Sequence, residues 1–194
     1  AAAAAWAATL PLRADAAARD ATVAGTEAES VTEIRRAAAL APWESRYPAR
    51  LGALAMRGDD HAAAVDAYRE ALDREPRGLA HTINLGRAAA LAGQEDLADA
   101  TYARLLELDP HTPEILVEVA AYHLEQGRTD RAEALLGEAV ALRDDEARWW
   151  VALGEAREAQ GDTDGAADAF TRALELDPDA EFAPDAEGAA TNGE

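Results

Sequence analysis

Small, apolar and polar positions along this 194-residue chain return in a single register. Leu-Gly pairs stand at Leu51-Gly52, Leu85-Gly86 and Leu153-Gly154, in steps of 34 and 68 residues. Ala64, Ala98, Ala132 and Ala166 keep the same step and are followed by Tyr68, Tyr102, Leu136 and Phe170. Pro42, Pro76, Pro110 and Pro178 fall in phase, with Asp144 standing where one more is due. Gly25, Gly93, Gly127 and Gly161 share a further phase, and Gly58 sits one place early. A period of this length predicts a stacked array of helix pairs, because one pair alone cannot bury its apolar face. Each repeat reads as helix, short turn, helix. "LAGQED" and "QGDTDG" put glycine and capping residue types between the helices. "ELDP" ends the second helix, since the residue before proline avoids α geometry. Gly52, Gly86 and Gly154 are expected to face Ala64, Ala98 and Ala166 in the partner helix. Tyr68, Tyr102 and Phe170 are expected to wedge between one pair and the next.

The last repeat, residues 147–180, carries Trp150, Leu153, Gly154, Ala166, Phe170, Ala173 and Pro178. This order resembles the tetratricopeptide repeat (TPR) signature and departs from it at Arg157, where a tyrosine is usual. Residues 45–78 and 79–112 resemble it well. Residues 113–146 do so more weakly, with Val119-Ala120 in place of Leu-Gly, and 11–44 keep only the phase, through Gly25, Ile34, Ala37 and Pro42. The resemblance implies an all-α, right-handed superhelical solenoid of antiparallel helix pairs. An apolar stub at 1–10 precedes the degenerate repeat 11–44, and an acidic tail, expected to be disordered, follows at 181–194.

Composition narrows the function. A net charge of −20 and a pI near 4.4 set the surface against phosphate backbones and anionic lipid headgroups, so nucleic acid is excluded as a partner. There is no cysteine, hence no disulfide, thiolate nucleophile or Cys-based zinc site. His61, His81, His111 and His123 lack metal-ligand spacing, and Ser30 and Ser45 lie in no nucleophile elbow. The phosphate-binding loop lysine is missing, because all 18 basic residues are arginine. No catalytic residue, cofactor, metal or direct small-molecule substrate is expected. Trp150 falls in the packing position, and Trp149 is either a surface aromatic or, on the plainer reading, a packing residue as well.

The resemblance further implies that the first helix of each repeat lines a concave groove for a protein or peptide ligand. Its inward positions here are Arg46, Arg50, Ala53, Met56 and Arg57, then Ile83, Asn84, Arg87 and Leu91. They continue with Glu114, Val117, Glu118 and Glu125, then Arg148, Val151, Glu155 and Glu158. The spacing is one helical face. Such a groove is basic towards the N-terminal half and acidic towards the C-terminal half. A solvated face with accidental sorting is the plainer alternative. Glu114 and Glu118 stand where a chaperone-type carboxylate clamp needs cations, which speaks against that subtype.

"ALAPWESRYPARLG" is also similar to a stretch after the last membrane helix of O-antigen ligase-like bacterial proteins. The chain begins at Ala1 rather than methionine, which reads as a piece of a longer protein. It opens on an apolar run that is either the end of a transmembrane helix or signal core or an ordinary alanine-rich helix lying on the array. On that likeness the chain is an extracytoplasmic appendage; without it, a cytoplasmic scaffold is equally open. Trp43 and Tyr47 are expected to seal the poor first repeat against the second. The tail is too broken by proline and glycine to cap the array, so the last helix is expected to be open to self-association, unless light scattering finds a strict monomer.

Overall fold

The computed structural model describes the backbone of residues 2–180 and the side chains of residues 9–180; the acidic tail at 181–194 lies outside them. Every element among the described residues is an α-helix or a connecting turn. One compact unit ends at Leu108 and holds α1 (Ala2–Val23), α2 (Glu27–Leu40), α3 (Arg46–Arg57), α4 (His61–Arg74), α5 (Leu79–Leu91) and α6 (Glu95–Leu108). A second begins at Asp109 and holds α7 (Pro113–Glu125), α8 (Thr129–Leu142), α9 (Ala147–Ala159) and α10 (Thr163–Leu176). Antiparallel partners pack as α1–α2, α3–α4 and α5–α6 in the first unit, and as α7–α8 and α9–α10 in the second. The second helix of each pair starts at 27, 61, 95, 129 and 163, which is the sequence period without a slip.

The helix ends follow from local chemistry. Asp60 and Asp162 accept from the backbone N–H groups of Ala63 and Gly165, satisfying orphan donors at the starts of α4 and α10. Thr26 and Glu29 form a capping box at α2. Gly93, Gly127 and Gly161 turn the chain within their pairs at φ of 68°, 68° and 81°, the left-handed region that favours glycine. Asp59 holds the same repeat position at φ 57°. Left-handed geometry costs a side-chain-bearing residue about 1–2 kcal/mol, part of which glycine's extra chain entropy offsets. Asp59→Gly is therefore expected to stabilise the protein by about 0.5–1 kcal/mol, read as a higher urea midpoint at unchanged slope.

Packing follows the small-residue pattern, with one correction. Ala64, Ala98 and Ala132 are fully buried and Ala166 nearly so, which brings helix axes close. The atoms nearest each glycine, however, belong to a ring and not to the alanine. A Cβ on Gly52 would lie 2.8 Å from the ring of Tyr68, one on Gly86 2.8 Å from that of Tyr102, and one on Gly154 would collide with Phe170. Each ring thus seats on the glycine of its own pair. An alanine methyl is too short to reach across, whereas an aromatic ring fills the gap left by a missing Cβ.

The aromatic positions are decided as well. Trp149 is 3% exposed and lies under the Arg143 guanidinium, 4.2 Å from the ring centroid, so it is a core residue. Half-buried Trp150 donates from Nε1 to the Asp144 carbonyl at 3.0 Å. That bond holds the one repeat joint that lacks its proline. At the first joint Tyr47 is 1% exposed and does seal α1 and α2 against α3, while Trp43 is 55% exposed and does not. The boundary drawn between residues 10 and 11 falls inside α1, which runs on through Pro11. No helix among the described residues is long and apolar enough to cross a membrane.

Candidate functional site

In the first unit the inward positions of α3 and α5 form one face each, and the arginines on α3 divide into two kinds. Arg46 Nη2 lies 2.5 Å from Asp15 Oδ1 of α1 and 3.1 Å from the Tyr47 hydroxyl, which itself donates to Asp15 at 3.0 Å. Burial opposes the Arg46 charge, but Tyr47, Asp15 and Glu44 outweigh it and hold the guanidinium above its usual pKa. Burial, then the bond to Asp15, pushes the Tyr47 phenol up. Arg50 Nη1 donates to the Ala18 carbonyl at 3.0 Å. These two arginines clamp α1 onto α3. Arg57, two turns further on, is exposed at the end of the helix.

Arg50, Ala53 and Arg57 border a cavity of about 350 Å³, closed by Ala21 and Thr22 of α1 and by Ser30 and Ile34 of α2. On α5, Ile83 and Asn84 are half-buried, Arg87 is exposed near Tyr68, and Leu91 is 59% exposed. Sequence reasoning found the arginines but not the cavity, since its walls come from three helices. Its signal was faint: Ser30 and Thr22 are hydroxyls near a repeat turn.

In the second unit the positions expected to line the groove are mostly glutamates, and these also divide. Glu114 bonds the Arg143 guanidinium at 2.6 Å; its own backbone N–H, then Arg143, holds its carboxyl below the usual range. Glu118 is half-buried and engaged, and Glu125 is exposed. On α9, Arg148 pairs with Glu146 at 3.4 Å and Val151 is half-buried. Burial, then the neighbouring Glu158, raises the Glu155 carboxyl. The folded state therefore binds this proton more tightly than the unfolded chain. Stability falls as pH rises from the ordinary carboxylate value of 4.5 through the raised one. Glu155→Gln is expected to remove that decline and raise the neutral-pH melting temperature, as thermal melts between pH 4 and 8 would record.

One further cluster joins residues far apart in sequence. Ser45 Oγ donates to Glu75 Oε2 at 2.7 Å, and His81 Nε2 lies 3.1 Å from Ser45 Oγ and 3.2 Å from Glu75 Oε2. A catalytic triad needs imidazole between the hydroxyl and the acid, one nitrogen to each. Here one nitrogen meets both partners and the serine proton already points at the carboxylate, so the cluster ties the starts of α3 and α5 to the end of α4. Gly78 is pressed against it, since a Cβ there would lie 2.8 Å from His81 Cδ2. Among the described residues no group of three or more acidic or histidine side chains is placed to hold a metal ion.

Helix pairs on a constant period, glycine-seated rings and first helices lined with charge define a helical repeat protein. Residues 50–113 and 120–181 match the tetratricopeptide repeat family model, and the chain belongs to that family. It is 32% identical over 104 residues to photosystem I assembly protein Ycf3 of Rippkaea orientalis, covering 52% of this chain and 60% of that protein. It is 28% identical over 134 residues to the general transcriptional corepressor ssn6 of Schizosaccharomyces pombe, covering 68% of this chain but 12% of that one. The matches thus span less than two thirds of these relatives. Among solved structures, MamA residues 41–end from Desulfovibrio magneticus RS-1 superpose with a TM-score of 0.74 at 17% identity, over 88% of this chain and 96% of that one. YrrB, described as a TPR protein with an unusual peptide-binding site, superposes with a TM-score of 0.68 at 16% identity, over 84% of each. These likenesses establish the fold, a TPR array. The similarity to O-antigen ligase-like proteins gains no support from them.

Proposed function

We propose that the chain is a non-catalytic scaffold that holds a peptide or protein segment on the inward faces of its first helices. The observation that carries this reading is the grouping of Arg50, Arg57 and Arg87 with Met56, Ile83 and Leu91 on α3 and α5 of a chain whose net charge is −20. Cations gathered against that balance, beside apolar side chains, suit an acidic segment with apolar anchors. Arg46 and Asn84 belong to the same face, with Arg46 serving α1 first. Glu114, Glu118, Glu125, Glu155 and Glu158 of the second unit are the counterpart for a basic stretch, and the raised Glu155 carboxyl is the group that a partner cation would relieve most.

The test begins with capture of a partner by the whole chain and measurement of its affinity for Arg50→Glu/Arg87→Glu. The expected loss is about tenfold or more; an unchanged affinity would sink the proposal. Self-association through α10 is part of the same reading: Leu174 is 42% exposed, whereas Val140, at the same repeat position in α8, is 6% exposed. The alternative, an extracytoplasmic appendage of a glycan-transferring membrane enzyme, rests on the sequence likeness of residues 39–52 and of the apolar, alanine-rich stretch before them. A gene that continues upstream into many apolar spans would decide for it.

A further inference from the structure

We infer that the cavity between α1, α2 and α3 is a subsite for a glutamate side chain of the partner. Its floor is apolar: Ile34 and Leu54 are 1% and 7% exposed, and Ala21 and Ala53 add only methyl groups. Its rim carries Arg50 and Arg57, which stand two helical turns apart, about 10.5 Å along the axis, so their long side chains approach the opening from opposite ends. Among the described lining residues none is acidic, in a chain where acids outnumber bases 38 to 18.

The hydroxyl protons are already spent: Ser30 Oγ donates to Ala21 O at 2.9 Å and Thr22 Oγ1 to Arg19 O at 2.6 Å. Arg50 spends Nη1 on the Ala18 carbonyl, and Glu27 Oε1 lies near Gly58 at the Arg57 end. Donation into the cavity therefore comes chiefly from the Arg57 guanidinium, with the remaining Arg50 N–H groups beside it; such groups bind carboxylates with charge-assisted bonds. A floor of small methyl groups fits an unbranched methylene stem, and the lining offers no side-chain amide to hold the backbone of a chain terminus. Stem and charge together specify glutamate within the chain. The inference rests on the scaffold reading only in placing an acidic segment on this face.

The experiment titrates the whole isotope-labelled chain by NMR with three probes: N-acetyl-glutamate N-methylamide, the glutamine analogue, and N-acetyl-leucine with its free carboxylate. The glutamate probe is expected to shift the amides of Ser30, Ile34 and Ala53 and the Arg57 Nε–H. Its affinity should fall about tenfold in Arg57→Gln and in Ala53→Leu, which fills the cavity. Equal shifts from the glutamine analogue would show that charge is not read. Shifts from N-acetyl-leucine alone would assign the cavity to a chain terminus, and no shift from any probe would leave it a packing gap; each of these overturns the inference. The scaffold reading would survive all three, because its own test also turns on Arg87, which lies outside the cavity.

Discussion

Tyr47→Ala is expected to destabilise the protein by about 3–5 kcal/mol, the range for deleting a fully buried aromatic ring. Tyr47 is 1% exposed and packs in a cluster whose other members include Ala14, Ala17, Ala21, Ile34 and Ala37. Among so many alanines, one ring supplies much of the volume at this joint, and methyl-sized neighbours cannot collapse far into the space it leaves. The hydroxyl matters less. Tyr47→Phe keeps the ring and loses the bond to Asp15, a group with 40% side-chain exposure, so the expected cost is about 1 kcal/mol. Urea unfolding would measure both values. Hydrogen exchange would show the Tyr47→Ala loss concentrated in the amides of α1 and α2, as expected where repeats are stabilised by their neighbours. A cost below about 1 kcal/mol for Tyr47→Ala would mean that the first pair is held mainly by Arg46 and Arg50.

The second large effect is expected at the glycine seats. Gly86→Leu would drive four new carbon atoms into the space of the Tyr102 ring, of which the first alone would lie 2.8 Å from the ring carbons. Tyr102 is 3% exposed and has little room to swing aside. The expected loss is about 3 kcal/mol, overpacking outweighing the gain of about 1 kcal/mol from removing a helical glycine. Gly137 of α8 is the control, because a Cβ there meets nothing within 4 Å. Gly137→Ala should therefore stabilise by up to about 1 kcal/mol. In Gly86→Leu/Tyr102→Ala the two costs should fall short of their sum, since the leucine takes over space that the ring vacates. Additive costs would show that ring and glycine are not one packing unit.

Much of this molecule is legible along the chain because a repeat restates its rules. Pro76 and Pro110, Asp60 and Asp162, and Gly93, Gly127 and Gly161 act within a few residues of themselves. Their effects on helix ends and turns are backbone effects, which is why the period carried over to the starts of the second helices without a slip. Where a local signal was replaced, as at Asp59 and Asp144, the helices still begin and end in phase, so the stacking of neighbours outweighs any single turn residue.

The face that a residue presents to another helix is a different matter. Periodicity placed Gly86 opposite the second helix of its pair, but whether it meets Ala98 or Tyr102 depends on how the two axes are offset. Trp149 and Trp150 are adjacent, so a rotation of one residue decides which is buried. The spacing puts Arg46 and Arg50 among the positions expected to line a groove, yet they are bound to Asp15 and Ala18, more than thirty residues away. The sequence by itself determined that this is a helical repeat array, the period on which its helix pairs repeat, and which charges its first helices carry. Only the tertiary structure decided that Arg46 is spent on α1, that Arg50 both holds α1 and borders the cavity, and that Arg57 borders it from the exposed helix end, because this depends on contacts between helices whose distance apart along the chain says nothing of their distance in space.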